Sequence, residues 1–258
     1  MDNHFSIETI SSALIVGGGR GIGLGIVTQL LERNPNLKIW ATYRTPEKAS
    51  SLLGLHKQFP KQLRALQVEP AQETDLQEVA KIIGAEAPNG LLDLVVVAPG
   101  ILHAPGGKPE KSLRDINLSQ LTEVFTANAF ITPMVAKHIK SLLSRNQPSC
   151  FVALSAMVGS ISDNELGGWY AYRASKAALN MFLKTISIEL KRSGYKTRVA
   201  AIHPGTTETE LSKLFLSGVK HKVWTPDESA HNILNVINEL RQEETGCFKN
   251  WDGNKIPW

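Results

Sequence analysis

Tyr172 and Lys176 stand four residues apart in "YRASKAALNMFLKTISIEL", a stretch with the pattern of a long helix starting near residue 170. Residues at that separation share one helix face and can reach a common ligand. The chemistry open to such a pair is proton transfer. A free tyrosine titrates near ~10, too high to exchange protons readily at neutral pH. An ammonium at about 4 Å, in an effective dielectric of about 20, favours the phenolate by up to about 4 kcal/mol before desolvation opposes it. Tyr172 is therefore expected near neutrality, where general acid catalysis is most effective. Tyr170 falls about 120° further round the same helix and reads as a packing or pocket-rim residue.

A second constellation opens the chain. "LIVGGGRGIGLG", residues 14–25, follows a predicted strand and begins a predicted helix. Gly17, Gly21 and Gly23 have the spacing G-x-x-x-G-x-G, with Arg20 and Ile22 between them. Gly17 lets the chain turn off the strand, Gly21 admits a pyrophosphate close to the backbone, and Gly23 allows tight packing of helix on strand. The helix start adds unpaired N–H donors and partial positive charge. At the end of the second strand Arg44 occupies the place where dinucleotide folds read the adenosine ribose; a guanidinium there can bind a 2′-phosphate bidentately. With Arg20 as a second cation, NADP(H) is the expected cofactor. The plain alternative is that both arginines are solvated surface charges.

These residues need a frame to hold them. Apolar runs near 13, 37, 63, 91, 150 and 197 each precede a helix-compatible segment. That alternation predicts an α/β, doubly wound parallel sheet of about seven strands with helices on both faces, in a single Rossmann-type domain over residues 1–258. "LVVVA" is apolar at successive positions, as for a strand covered on both sides. A helical pattern runs from about 117 to 144. Residues 206–224, with Leu211, Leu214, Phe215 and Trp224, have mixed pattern and read as a substrate lid or as plain packing.

Composition narrows the function classes. The chain has 258 residues, 42% hydrophobic and 20% charged, and no run approaches a membrane span. No basic region precedes an apolar run at the N-terminus, and Cys150 and Cys247 form no CxxC pair, which suits reduced thiols in the cytoplasm. Net charge is +4 with the basic residues dispersed. The densest patch, 191–198, lacks aromatic interleaving, so no nucleic-acid partner is expected. No metal site is expected either.

Taken in order, the glycine loop, Asp93 before the fourth strand, Asn128 in the middle helix, Tyr172 with Lys176, and "HPGTTET" at 203–209 resemble the short-chain dehydrogenases/reductases along essentially the whole chain. "GSISDN", "GGWYAYRASKAALN" and "WDGNKIPW" are most similar to the branch of C-factor proteins and sniffer-type carbonyl reductases. The resemblance implies that Tyr172 donates a proton to a small-molecule carbonyl substrate while the pro-S hydride passes from NADPH. It also implies that Lys176 holds the nicotinamide ribose and lowers the tyrosine's pKa, and that Asn128 positions a relay water. By the same likeness Pro204 and Gly205 lie beside the nicotinamide amide, Thr209 near the pyrophosphate, and two long helices pair copies into a homodimer or homotetramer. Asn128 could equally be a helix-kink or buried hydrogen-bonding residue.

Three departures qualify this. Where the family has Ser-Ser, this chain has Ser155 and Ala156, so the carbonyl is polarised by Ser155 turned inward, by Ser160, or by Tyr172 alone; Ser155 is the expectation carried forward. "VVVAPG" at 95–100 replaces Asn-Asn-Ala-Gly, keeping Gly100 for close backbone approach to the cofactor. Glu69 stands where aspartate is usual near the adenine edge. Such losses leave a rival open: an NADP-binding regulator or intercellular signalling protein, C-factor-like, with weak or no turnover.

Overall fold

Seven strands form one parallel sheet in the order β3-β2-β1-β4-β5-β6-β7. They are β1 (Ser12–Val16), β2 (Lys38–Tyr43), β3 (Leu63–Gln67), β4 (Leu94–Val97), β5 (Ser149–Leu154), β6 (Thr197–His203) and β7 (Cys247–Asn250). The computed structural model describes residues 5–213 and 215–258. Helices α1 (Gly21–Arg33), α2 (Ser50–Gln58), α3 (Glu73–Glu86), α4 (Leu118–Phe125), α5 (Ile131–Ile139), α6 (Tyr170–Arg192) and α7 (Pro226–Glu239) cover both faces. Six strands coincide with the apolar runs. β7 does not, because a four-residue edge strand reading CFKN has no run to see.

Burial on both faces explains the continuous apolar strands. Along β1, Ala13 and Ile15 face Ile26, Val27 and Leu30 of α1 with Ile233 and Ile237 of α7. Leu14 and Val16 face the opposite core, with Val135 of α5 and Leu179 and Leu183 of α6. Asp93 fixes the register at the far end of the sheet from the glycine loop. Its carboxylate accepts from the backbone N–H of Ser11 at 2.7 Å and of Ser12 at 3.2 Å, and from both hydroxyls. That clamp ties β4 to β1, the two strands between which the chain order reverses. Crevices at such a reversal are where open α/β sheets bind ligands.

The predicted middle helix is continuous from 118 but not regular. Residues Thr126–Phe130 form a π turn between α4 and α5. Turns of that kind insert one residue and recur at functional sites. Here the widened turn holds Asn128, which is 2% exposed. Among the described residues no helix is long and apolar enough to cross a membrane. Both cysteines are free thiols, and burial pushes Cys150 up to about 12 and Cys247 up to about 11. Neither is a reactive thiolate at neutral pH.

Candidate active site

A cleft of about 670 Å³ opens at the carboxyl ends of the strands. Gly17, Arg20, Gly21, Ile22 and Gly23 line one end, together with Arg44, Lys48 and Glu69; Gly100, Ser155, Tyr172, Lys176, Pro204, Gly205 and Thr209 line the rest. A side chain on Gly23 would drive its Cβ into the carbonyl of Gly17, far inside van der Waals contact. Only glycine lets α1 start this close to β1. The helix has no side-chain cap at Arg20 and no acidic residue in its first turn, so its N–H donors are free for an anion. Thr209 faces this loop, its Cγ2 3.6 Å from where a Gly21 Cβ would sit. Nearby, Arg44 and Glu69 form a loose ion pair at 3.9 Å with both side chains largely in solvent. Such a pair is worth little and yields readily to a phosphate. A phosphate-bearing dinucleotide fits these residues.

Deeper in the cleft, α6 brings Tyr172 and Lys176 to one face, and both are buried. The Lys176 ammonium lies 5.9 Å from the Tyr172 ring centroid and donates to the Leu154 carbonyl at 2.7 Å. Asn128 donates from Nδ2 to the Ile101 carbonyl at 2.8 Å and to Ser175 Oγ at 3.0 Å, and its Oδ1 accepts from Ile101 N–H at 2.8 Å. Its side chain therefore shapes the loop after β4, which is the plain alternative named for it. A water relay through this residue would have to use its backbone.

The expectation of a tyrosine near neutrality is corrected. Burial pushes the Tyr172 phenol above its ordinary value, because the charged form is desolvated and the ammonium is not in contact with the hydroxyl. Tyr172 is thus a neutral proton carrier at pH 7. The same burial depresses Lys176 to about 8. An unfolded lysine binds its proton up to about 10.4, so the penalty is complete below pH 8 and is relieved as pH rises toward 10.4. It amounts to roughly 3 kcal/mol at pH 7, offset by about 1 for the hydrogen bond to Leu154. Lys176→Met is accordingly expected to gain about 2 kcal/mol in urea unfolding at pH 7. The advantage over wild type shrinks to nothing near pH 10. An equal gain at both pH values would remove the burial penalty as its cause.

Ser155 does not offer its proton to the cleft. Its hydroxyl donates to Asn180 Oδ1 at 2.7 Å, one turn further along α6 than Lys176. Side chains alternate in direction along extended backbone, which leaves position 156 facing Tyr172, and that residue is alanine. Ser160 is buried, accepts from Asp163 N–H at 3.2 Å and is not among the cleft-lining residues. Of the three routes to polarising a carbonyl, the geometry favours Tyr172 alone.

Residues 207–213 and Leu216 cover one side of the cleft. The segment is tied at its base, where Trp224 N–H donates to Thr206 O and Glu208 N–H to Trp224 O, both at 2.8 Å. Leu211 lines the cleft, Phe215 packs on Trp169, and Trp224 instead stacks edgewise on Trp251 at 4.7 Å. Leu214 lies outside the described residues. Tyr170 does not line the cleft.

Two contributors escape local reading of the sequence. Glu110, 1% exposed, accepts from Ala171 N–H at 3.3 Å and from Gln120 Nε2 at 2.6 Å, while its carbonyl accepts from Trp169 N–H at 2.6 Å. It caps α6 from sixty residues away, where no spacing rule reaches. His203 lines the cleft with Nδ1 buried and unpartnered, and burial together with the Lys176 charge holds its imidazole down at about 4. The "HPG" triplet was the available signal.

A family model described as short chain dehydrogenase matches residues 11–218. The chain belongs to the short chain dehydrogenase family. Among curated relatives of this dehydrogenase, an uncharacterised oxidoreductase of Schizosaccharomyces pombe is 30% identical over 95% of this chain and 96% of its own. The C-signal of Myxococcus xanthus is 31% identical over 57% of this chain and 84% of its own. Among solved structures, the carbonyl reductase Sniffer of D. melanogaster superposes with a TM-score of 0.84 at 26% identity, covering 96% of this chain and all of that one. An NADPH-bound carbonyl reductase from chicken fatty liver gives 0.80 at 28% identity, covering 96% and 99%.

Proposed function

We propose that this short-chain dehydrogenase is an NADPH-dependent carbonyl reductase acting on a ketone or aldehyde. One observation carries this: the Tyr172 and Lys176 face of α6 sits in the same cleft as an uncapped helix start flanked by Arg20 and Arg44. The likeness to two carbonyl reductase structures, one of them NADPH-bound, supports it.

When bound, the dinucleotide supplies a hydride to the carbonyl carbon. The protein's part is to bind, orient and protonate. Gly17, Gly21, Ile22, Gly23 and Thr209 would hold the diphosphate, with Glu69 at the adenine end and Gly100, Pro204 and Gly205 at the nicotinamide end. Lys176 would hold the ribose by its ammonium. Tyr172, neutral at pH 7, gives its proton to the carbonyl oxygen as the carbon is reduced, and takes a new one through Lys176 and water. The low-dielectric surround that raises its pKa also strengthens the single hydrogen bond on the developing oxyanion.

Arg44→Ala is expected to weaken NADPH about tenfold, the loss of one charge-assisted contact, and to leave NADH unchanged. Nicotinamide fluorescence titration measures both. An equal loss for the two cofactors would remove Arg44 from the 2′-phosphate. Turnover is tested in the same cuvette by decay of the nicotinamide absorbance against aldehydes, diketones and quinones.

A second role is favoured by the C-signal likeness together with the alanine at 156: cofactor binding used for signalling, with little turnover. Tight NADPH binding without oxidation by any carbonyl would turn the assignment that way. Phe130, Met181 and Ile188, all more than 40% exposed on the helical surface around Asn128 and on α6, are the apolar residues that a homodimer or homotetramer would cover. A cytoplasmic setting suits two free, unreactive thiols.

A further inference from the structure

Tyr172 is only 8% exposed, although a carbonyl oxygen must come within about 3 Å of its hydroxyl to take a proton. Something covering it has to leave. Its apolar cover consists of Leu102, Ala156, Val158, Trp169, Leu211 and Phe215. Leu102 and Ala156 are themselves buried in the body of the protein. Trp169 is fixed despite a left-handed backbone (φ 51°): its N–H donates to Glu110 O at 2.6 Å and its carbonyl accepts from Arg173 N–H at 2.9 Å. A bulky residue keeps that conformation only where its surroundings impose it. Leu211 and Phe215 differ, because they belong to the segment whose backbone is paired to the body at its base, Thr206–Glu208 against Trp224.

The Phe215 ring packs on the Trp169 indole with centroids 5.0 Å apart and planes at 58°, and the indole in turn meets the Tyr172 ring edge-on at 6.2 Å. This is the spacing of a favourable aromatic pair. The six covering side chains carry no charge, so a carboxylate or ammonium in their place would be buried without a partner. We propose that Phe215 stands in the substrate's own subsite, and that the substrate is an uncharged carbonyl borne on a flat aromatic ring which displaces Phe215 and takes over its contact with Trp169. An aliphatic chain of equal size would fill the volume but forfeit the ring contact. This rests on the reductase assignment for its carbonyl and on the aromatic cluster for its ring.

The test compares 1-phenyl-1,2-propanedione with 2,3-hexanedione, two uncharged diketones of similar reactivity, using the full chain and NADPH. Wild type is expected to prefer the aryl diketone at least tenfold in kcat/KM. Phe215→Ala, which removes the competing ring, lowers KM for the aryl diketone three- to tenfold, and Trp169→Leu abolishes the preference. Equal kcat/KM for the two diketones in wild type, or a higher KM for the aryl diketone in Phe215→Ala, overturns the proposal. A binding readout separates this from failure of the reductase assignment: quenching of tryptophan fluorescence by benzamide, which cannot be reduced here, compared with butyramide. Benzamide binding that tightens three- to tenfold in Phe215→Ala upholds the subsite even without turnover. Benzamide binding unchanged by Phe215→Ala rejects it even if diketones are reduced.

Discussion

Tyr172→Phe is expected to lower kcat for carbonyl reduction by about 10³-fold, within the range general acid catalysis contributes, and to leave NADPH affinity within about twofold of wild type. The separation follows from what the side chain touches. Its ring is held by the apolar cluster around Ala156 and Trp169, contacts that phenylalanine keeps. Its hydroxyl has no hydrogen-bond partner among the described residues, so removing it leaves no buried group stranded. The variant should therefore fold with undiminished stability, and single-turnover absorbance measurements with saturating NADPH isolate the chemical step. Residual turnover above about a tenth of wild type would mean that another group, His203 being the nearest candidate by its place in the cleft, delivers the proton.

Ala156→Ser is expected to act in the opposite direction, raising kcat/KM for simple unactivated ketones by roughly ten- to a hundredfold. A single preorganised donor on an oxyanion is worth about 10²–10³ in kcat when deleted from a site built around it. One added to a site that lacks it should recover part of that. Position 156 is extended (φ −148°, ψ 148°), 8% exposed and packed with Tyr172, so a serine hydroxyl enters the same space that the tyrosine hydroxyl serves. Activated diketones need the second donor less and should gain less. A uniform change for both classes, or none, would show that the added hydroxyl turns back into the protein as Ser155 does. Parallel kcat/KM measurements on acetophenone and 1-phenyl-1,2-propanedione distinguish these outcomes.

Periodicity made the sheet legible because every central strand is covered on both faces and so reads as an unbroken apolar run. The glycine loop was legible for a different reason: Gly23 approaches a backbone carbonyl so closely that no other residue type is allowed. What escaped was long-range. Whether Lys176 lowers the pKa of Tyr172 depends on where its ammonium points, and the Leu154 carbonyl that takes it belongs to β5, twenty-two residues earlier. Whether Ser155 faces the cleft depends on Asn180, and the capping of α6 depends on Glu110. Helix spacing reports which side chains share a face. It is silent on which partner from another element claims each polar atom.

The π turn at Thr126–Phe130 makes the middle of the chain intolerant of changes in length. Ile131, Val135 and Ile139 follow it at intervals of four and are at most 6% exposed, the stripe that α5 turns into the core. Each residue in a regular helix advances the azimuth by about 100°. Deleting one residue from the turn would restore regular winding and swing that stripe away from its cavity. Insertions and deletions in this region should therefore be far more damaging than substitutions, and a drifting lineage would sooner lose Asn128 than the extra residue beside it.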